Sequence, residues 1–136
     1  MIKQAIIISL SGYKLTKKET NMFKKYLPWG VILFKRNIKN YDQLKKLILS
    51  IKKITNDKKY PIIIDEEGGD VSRLQNIINN RMFSQRYFGQ LYETNPKIAI
   101  GIYKYYINEI SFILKSLGIN INTVPVLDLR FKGASN

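Results

Sequence analysis

Four short apolar runs divide the chain, and the segments between them carry apolar residues at helical spacing. The runs span residues 5–10, 30–34, 61–65 and 119–129 and are rich in Ile and Val. Runs of this length and composition are typical of strands buried on both faces of a sheet. The pattern therefore predicts four buried strands, with a helical connection after each of the first three.

The first two predicted helices have recognisable ends. Thr16 and Glu19 form a capping-box sequence, and Pro28 is expected to end the helix that follows them. Asn40 or Asp42 is suited to cap the second helix, in which apolar positions lie opposite lysines. Both helices are therefore predicted to be amphipathic, with one face on the sheet.

A third, longer helix is predicted to begin at Asn95–Pro96 and to end at Gly118. Its expected core stripe consists of Ala99, Ile102, Tyr106, Ile110, Ile113, Leu114 and Leu117. Before it, residues 70–93 have weak periodicity and are predicted to form a loop with short helical turns. The predicted element order is thus β-α-β-α-β-α-β.

This order predicts a single α/β domain over residues 1–136, built on a mostly parallel sheet with right-handed crossovers. Two architectures fit the order: an open doubly wound sheet and part of a (β/α)₈ barrel. Hydrophobic periodicity does not separate the two. In both of them, functional residues are expected where the carboxyl ends of the strands meet.

The composition excludes several kinds of chemistry from these 136 residues. There is no cysteine and no histidine, which leaves no disulfide, no thiolate metal site and no imidazole base. No apolar stretch approaches the about 18 residues of a membrane span, and the run at 5–10 is shorter than the about 7–15 residues of a secretory signal core. We therefore expect a cytoplasmic protein with no membrane partner.

The net charge of +13 comes almost entirely from lysine. Lysine pairs are spread along the chain, at 17–18, 24–25, 45–46, 52–53 and 58–59, and most fall on the polar faces of predicted helices. This spacing favours solvated helix faces over a nucleic-acid surface. Binding of nucleic acid stays an alternative, because a basic chain has the charge for it.

The scarce acidic residues are concentrated at one predicted edge of the sheet. Of the ten in the chain, five lie at or just past the ends of the third and fourth strands: Asp65, Glu66, Glu67, Asp70 and Asp128. Carboxylates there can accept hydrogen bonds from sugar hydroxyls, act as an acid/base pair or hold a hard cation. Alternatively, some of them cap helices or form structural salt bridges. We expect Asp65 and Asp128 to point into the same mouth.

The dipeptide Gly68–Gly69 follows the third strand and allows a sharp turn over that edge. Arg73 can then return to the edge and donate several hydrogen bonds from its guanidinium to a polar ligand. The alternative is a salt bridge from Arg73 to Glu66, Glu67 or Asp70. Neither a Walker-type nor a dinucleotide-type glycine motif is present, so a phosphate loop has little support.

Residues 65–74, which read Asp-Glu-Glu-Gly-Gly-Asp-Val-Ser-Arg-Leu, resemble the D-E/Q-E-G-G-x-V-x-R-L/F motif of glycoside hydrolase family 3, in its bacterial β-N-acetylhexosaminidase branch. Three further segments resemble the family in order and spacing, at residues 12–19, 30–37 and 119–128. The resemblance spans nearly the whole chain and implies a (β/α)₈ TIM barrel. The chain then corresponds to the N-terminal half of one barrel domain, about four βα units.

The resemblance implies that Asp65 and Arg73 bind hydroxyls of a non-reducing-end N-acetylglucosamine. Glu67, Gly68–Gly69 and Asp128 are expected to shape the site around them. The family's acid/base histidine, its Lys-His pair and its nucleophilic aspartate have no counterpart in these residues, so no catalytic residue is expected here. The resemblance implies no metal and no cofactor.

The expected function is that of the N-terminal part of a retaining exo-β-N-acetylglucosaminidase, which hydrolyses cell-wall-derived sugars through a covalent intermediate. By itself the chain is expected to be inactive. It is expected to need the missing half of the barrel, or to self-associate, because four strands leave open edges. Three alternatives stay open: a non-catalytic carbohydrate-binding remnant, a basic nucleic-acid-binding module, and a Mg²⁺-dependent phosphoryl-transfer enzyme on an open sheet.

Overall fold

The structure is a computed structural model that describes residues 2–127, in which parallel strands alternate with helices. The elements are β1 (Gln4–Ser9), α1 (Lys17–Lys25), β2 (Pro28–Leu33), α2 (Tyr41–Ile54), β3 (Ile62–Ile64), α3 (Gln85–Thr94), α4 (Pro96–Leu117) and β4 (Ile121–Asn122). A short 3₁₀ turn, Lys35–Asn37, follows β2. Within residues 2–127, none of the helices combines the length and apolar character needed to span a membrane.

The described strands lie side by side in chain order, β1-β2-β3-β4, and every neighbouring pair is parallel. A doubly wound sheet reverses its strand order at a switch point. No reversal occurs among these four strands, and sequential order is that of a (β/α)₈ barrel. The topology therefore decides between the two architectures that periodicity left open.

The two faces of the sheet differ in what covers them. Val31 pairs with Ile62 in register, and both are fully buried against the helices. The core on this side comprises Leu10, Phe23, Leu33, Ile38, Leu44, Leu47, Ile48, Ile51, Tyr60, Ile64, Leu74, Ile110, Leu114, Leu117 and Ile119 in addition. The opposite side, the inner face, carries the alternate residues Ile7, Ile32 and Ile63.

The prediction that β1 is buried on both faces was wrong. Ile6 and Ile7 are 50% and 51% exposed. Among the described strands β1 lies at the edge of the sheet and pairs only with β2, so fewer side chains cover it than cover β2 and β3. The apolar sequence of β1 predicts that it forms a strand, but it does not predict whether that strand lies at the edge or in the middle of the sheet.

Two strand boundaries also differ from the prediction. Strand β2 begins at Pro28 rather than Gly30, because the first position of a strand tolerates the missing N–H of proline. Strand β4 was predicted over residues 119–129, and the ladder comprises only Ile121–Asn122 among the described residues. The end of that prediction, including Asp128, lies outside them.

Helix α3 was missed, because residues 70–93 were predicted to be a loop with only short helical turns. Its N-cap is Ser84, whose hydroxyl accepts a hydrogen bond of 3.1 Å from the Tyr87 N–H. One apolar side chain, Phe88, is buried, and Gly89 interrupts the helical pattern. A short helix with a glycine near its centre gives little periodic signal.

Helix α4 follows the predicted bounds but only part of the predicted stripe. Asn95 caps its start, and Gly118 ends it in the left-handed conformation with φ of 92°. Ala99, Ile110, Leu114 and Leu117 are buried. Ile102 was assigned to the core and is 38% exposed, because the first half of α4 packs on α3 through Tyr103 and Tyr106 rather than on the sheet.

Glu19 ties the loop after β1 to the start of α1. Its carboxylate accepts from the backbone and hydroxyl of Thr16, which completes the predicted capping box, and from the backbone and hydroxyl of Ser11 at 2.8 and 3.1 Å. Partial burial alone would raise the pKa of Glu19, but these hydrogen bonds outweigh it and hold the pKa below its ordinary value. At α2 the predicted cap is Asn40, which accepts from the Gln43 N–H at 2.9 Å.

The carboxyl ends of β1 and β2 are joined by the fully buried side chain of Asn37. Its amide donates to the Leu10 and Gly12 carbonyls, both at 3.0 Å, and its oxygen accepts from the Phe34 N–H at 2.9 Å. The lysine pairs lie mostly in solvent; the exception is Lys52, whose ammonium donates to the Gly118 carbonyl at 2.7 Å. These exposures match the interpretation of solvated helix faces.

We predict that Glu19→Gln flattens the pH dependence of folding stability. A carboxyl whose pKa is lowered on folding contributes stability above its unfolded pKa, and the contribution is lost as pH falls through the folded pKa. The wild type should therefore exceed the variant by about 1 kcal/mol at pH 7, because hydrogen bonds to a charged acceptor are stronger than those to a neutral amide, and the gap should close as the pH falls through and below the ordinary glutamate pKa of about 4.3. Urea unfolding across this range measures it; a gap that does not change with pH would contradict the assignment.

Candidate functional site

The carboxyl ends of β2, β3 and β4 bring Phe34, Asp65 and Thr123 to one edge of the sheet. Because Ile63 lies on the inner face, Asp65 two residues later lies on the same side. The Asp65 carboxylate is held by two partners. Its Oδ2 atom lies 3.3 Å from the Arg73 Nη2 atom, and its Oδ1 atom accepts a hydrogen bond from the Thr123 hydroxyl.

Arg73 returns to this edge, as the sequence predicted. Its guanidinium carbon lies 5.6 Å from the centre of the Phe34 ring, within the range of a cation–π contact. A second guanidinium, that of Arg36, lies 4.8 Å from the same ring and donates from its Nε to the Leu10 carbonyl at 2.9 Å. The Arg73 Nε atom is buried and has no hydrogen-bond partner among the described residues. Within residues 2–127, the edge therefore presents two arginines and one carboxylate around one aromatic ring.

Glu66 organises the loop that carries Arg73. It is only 3% exposed, and its Oε2 atom accepts from the Arg73 and Leu74 N–H groups, both at 2.8 Å. Its Oε1 atom accepts from the Asn80 amide at 2.8 Å. The sequence left open a salt bridge from Arg73 to Glu66, Glu67 or Asp70. In the structure the Arg73 guanidinium pairs with Asp65 instead, and Glu66 binds the backbone N–H of residue 73.

Asn80 connects this network to α4. Its oxygen accepts from the Ser72 hydroxyl at 2.6 Å, and its amide also donates to the Tyr106 hydroxyl at 3.1 Å. Burial raises the pKa of Tyr106, the Asn80 donor lowers it, and the Glu66 carboxylate raises it further, so that the net change is upward. The phenol therefore stays protonated at neutral pH and serves the network as a neutral group.

The Gly68–Gly69 turn fits only glycine. Both residues have positive φ, of 81° and 64°. A Cβ atom at Gly68 would lie 2.3 Å from the Phe83 carbonyl oxygen and 2.6 Å from the Tyr106 hydroxyl, and one at Gly69 would lie 2.7 Å from the Ser84 Cβ. The turn thus lets residues 66–73 pass close beneath the start of α3 and return to the sheet edge.

The remaining predicted site residues are less central. Glu67 lines a cavity of about 120 Å³ against α4, together with Tyr106 and Asn122. Asp70 is exposed, and Asp128 lies outside the described residues, so its convergence with Asp65 stays a prediction. Within residues 2–127, no three His, Cys, Asp or Glu side chains cluster so as to hold a metal ion.

Sequence reasoning missed Phe34, Asn122 and Thr123. Asn122 accepts from the Glu66 N–H at 2.9 Å and donates to the Glu66 carbonyl at 3.1 Å, which fastens β4 to the end of β3. Thr123, two residues after Ile121, shares the inner face with Asp65, but this follows only once the β3–β4 register is known. That register, which pairs Ile63 with Ile121, is not encoded locally.

This arrangement suits a neutral polar ligand. Asp65 is an acceptor fixed by two donors, and Arg73 beside it retains N–H groups that its contact with Asp65 does not use. An adjacent acceptor and donor match a pair of vicinal hydroxyl groups, each of which both donates and accepts.

Comparison with known proteins gives a consistent set of relatives. No family model matches the chain. Proteins named Beta-hexosaminidase are similar to it: that of Nitrosomonas eutropha is 29% identical over 130 residues, covering 96% of this chain and 37% of its own length. That of Bordetella pertussis is 30% identical over 128 residues, covering 93% and 36%. The chain spans little more than a third of the length of these relatives.

Solved structures agree with the sequence relatives. NagZ from Neisseria gonorrhoeae, in complex with N-trifluoroacetyl-D-glucosamine, superposes with a TM-score of 0.83 at 28% identity, over 96% of this chain and 39% of that one. A glycoside hydrolase family 3 β-N-acetylglucosaminidase from Paenibacillus gives 0.63 at 26% identity, over 90% and 23%. The expectation of a partial TIM barrel is thereby confirmed.

We predict opposite outcomes for two glycine-to-alanine changes. Gly68→Ala introduces a strained φ and two close contacts, and should destabilise the chain by on the order of 2–4 kcal/mol. Gly89→Ala lies in α3 with nothing within 4 Å of the added Cβ, and should stabilise it by about 0.5–1 kcal/mol. Urea unfolding of both variants measures the difference, and a Gly68→Ala protein as stable as wild type would refute the described turn.

Proposed function

We propose that this chain, a relative of the N-terminal part of the glycoside hydrolase family 3 β-hexosaminidases, provides the sugar-binding corner of a retaining exo-β-N-acetylglucosaminidase site. The observation that carries the proposal is the Asp65–Arg73 pair on the inner side of the sheet, at the carboxyl ends of the strands. In TIM-barrel enzymes this end holds the active site. The pair would bind hydroxyls of the non-reducing-end sugar.

The geometry supports a binding role for Asp65 rather than a catalytic one. A retaining glycosidase needs a nucleophile below the anomeric carbon and a group that protonates the leaving oxygen. Both oxygens of Asp65 already contact partners, Thr123 and Arg73, which lowers its reactivity as a nucleophile. The chain contains no histidine that could serve as the family's acid/base. We assign the catalytic groups to parts of the barrel outside these residues.

N-acetylglucosamine is the proposed sugar because the Neisseria structure is a complex with an N-acylated glucosamine. Cell-wall-derived sugars as substrates rest on the family resemblance alone. A cytoplasmic location is the expectation drawn from the apolar pattern of the sequence. Cell fractionation with an antibody against the chain tests the location.

We predict that Asp65→Ala weakens binding of N-acetylglucosamine by tenfold or more. A charge-assisted hydrogen bond contributes on the order of 1.5–3 kcal/mol, and the Asp65 side chain, 29% exposed, has acceptor sites beyond those used by its two partners. Titration of the labelled chain with N-acetylglucosamine, followed by NMR chemical shifts, measures the affinity. Glu67→Gln is the matched control and should change it little. Equal, small effects of both changes would show that Asp65 only anchors the loop.

We further predict that the 136-residue chain alone does not hydrolyse glycosides. It lacks a histidine, and Asp65 is held as a hydrogen-bond acceptor. Incubation of the purified chain with a chromogenic β-N-acetylglucosaminide should release no chromophore above background. Turnover that follows the chain through purification and disappears in Asp65→Asn would mean that the catalytic groups have been misplaced.

Nucleic-acid binding is the alternative that the basic composition leaves, and it has a distinct signature. Affinity for DNA or RNA would fall steeply with salt, because phosphate contacts release counterions. Binding of a neutral sugar should depend little on salt. Measuring both ligands at low and high ionic strength separates the two functions.

A further inference from the structure

Thr123 is placed by the sheet itself. Its backbone N–H donates to the Ile64 carbonyl at 3.0 Å, which continues the β3–β4 ladder by one residue. Its hydroxyl donates to the Asp65 Oδ1 atom. Because threonine is β-branched, its χ1 angle is restricted and the direction of the hydroxyl is well defined. The position of this donor therefore follows from the pairing of β4 with β3.

The Asp65 carboxylate needs such a partner. The terminal torsion of an aspartate is broad and roughly two-fold, so the side chain alone does not fix the plane of its carboxylate. Arg73 contacts only Oδ2, at 3.3 Å, and this single contact leaves the other oxygen free to turn. A second donor on Oδ1, from a different strand, fixes the plane. Asp65 then faces the inner side of the sheet in one orientation.

We propose that Thr123 is a positioning residue for the Asp65 carboxylate, through which β4 sets the direction in which that carboxylate meets a sugar hydroxyl. The proposal rests on the proposed function, because the group that Thr123 positions is the proposed sugar acceptor. Thr123 itself is exposed, so its replacement need not disturb the core. No sequence motif identified this residue; the hydrogen bond in the structure does.

The test compares Thr123→Val, which removes the hydroxyl at nearly constant shape, with Thr123→Ser, which keeps it. The first readout needs no ligand: the ¹³C resonance of the Asp65 carboxyl carbon, assigned with Asp65→Asn. We expect it to move in Thr123→Val and to stay near the wild-type position in Thr123→Ser. The second readout is affinity for N-acetylglucosamine, expected to fall by roughly three- to tenfold in the valine variant only.

Each outcome decides a separate point. An Asp65 resonance that is the same in the valine variant and the wild type overturns the proposal, whether or not the chain binds sugar. If the resonance moves but N-acetylglucosamine binds both proteins equally, the positioning role in binding is overturned. If the resonance moves and the wild-type chain binds no sugar, the Thr123–Asp65 contact stands and the proposed function falls.

Discussion

The site depends on one buried carboxylate, that of Glu66. A charged group with 3% exposure is tolerated only when its oxygens are satisfied, and here two backbone N–H groups and the Asn80 amide satisfy them. Two of these donors belong to residues 73 and 74, so the same bonds that stabilise the charge also fix where the chain returns to the sheet. Without them Arg73 would have no defined position beside Asp65.

Two adjacent carboxylates, those of Asp65 and Glu66, face opposite sides of the sheet because strand side chains alternate between faces. Glu66 lies two residues after Ile64, on the helix-facing side, where Asn80 and α4 supply its surroundings. Asp65 lies two residues after Ile63, on the inner side, where Arg73 and Thr123 contact it. A shift of one residue in the β3 register would exchange the surroundings of the two carboxylates, so the register of a three-residue strand determines the candidate site.

Local pattern predicted the parts of the fold that depend on local physics. The strand runs, the Thr16–Glu19 capping box and the Gly118 helix end needed only neighbouring residues. The exposure of β1 and the Thr123–Asp65 bond depend on which strands are neighbours and in what register, which no short segment encodes. The carboxylates at the sheet edge were visible as a cluster, but singling out Asp65 and Arg73 required the family resemblance, and their direct pairing required the structure.

The charges at the edge argue for a hydroxyl ligand over a cation. The guanidinium beside the Asp65 carboxylate offsets its charge, which weakens it as a ligand for a hard cation such as Mg²⁺. Arg36, which is bound to the Leu10 carbonyl, adds a second positive charge near this edge and makes it still less favourable for a cation. Hydroxyl groups need no net charge, only a fixed acceptor with a donor beside it. The Asp65–Arg73 pair supplies both, which disfavours the Mg²⁺-dependent phosphoryl-transfer alternative on the chemistry of the donor set alone.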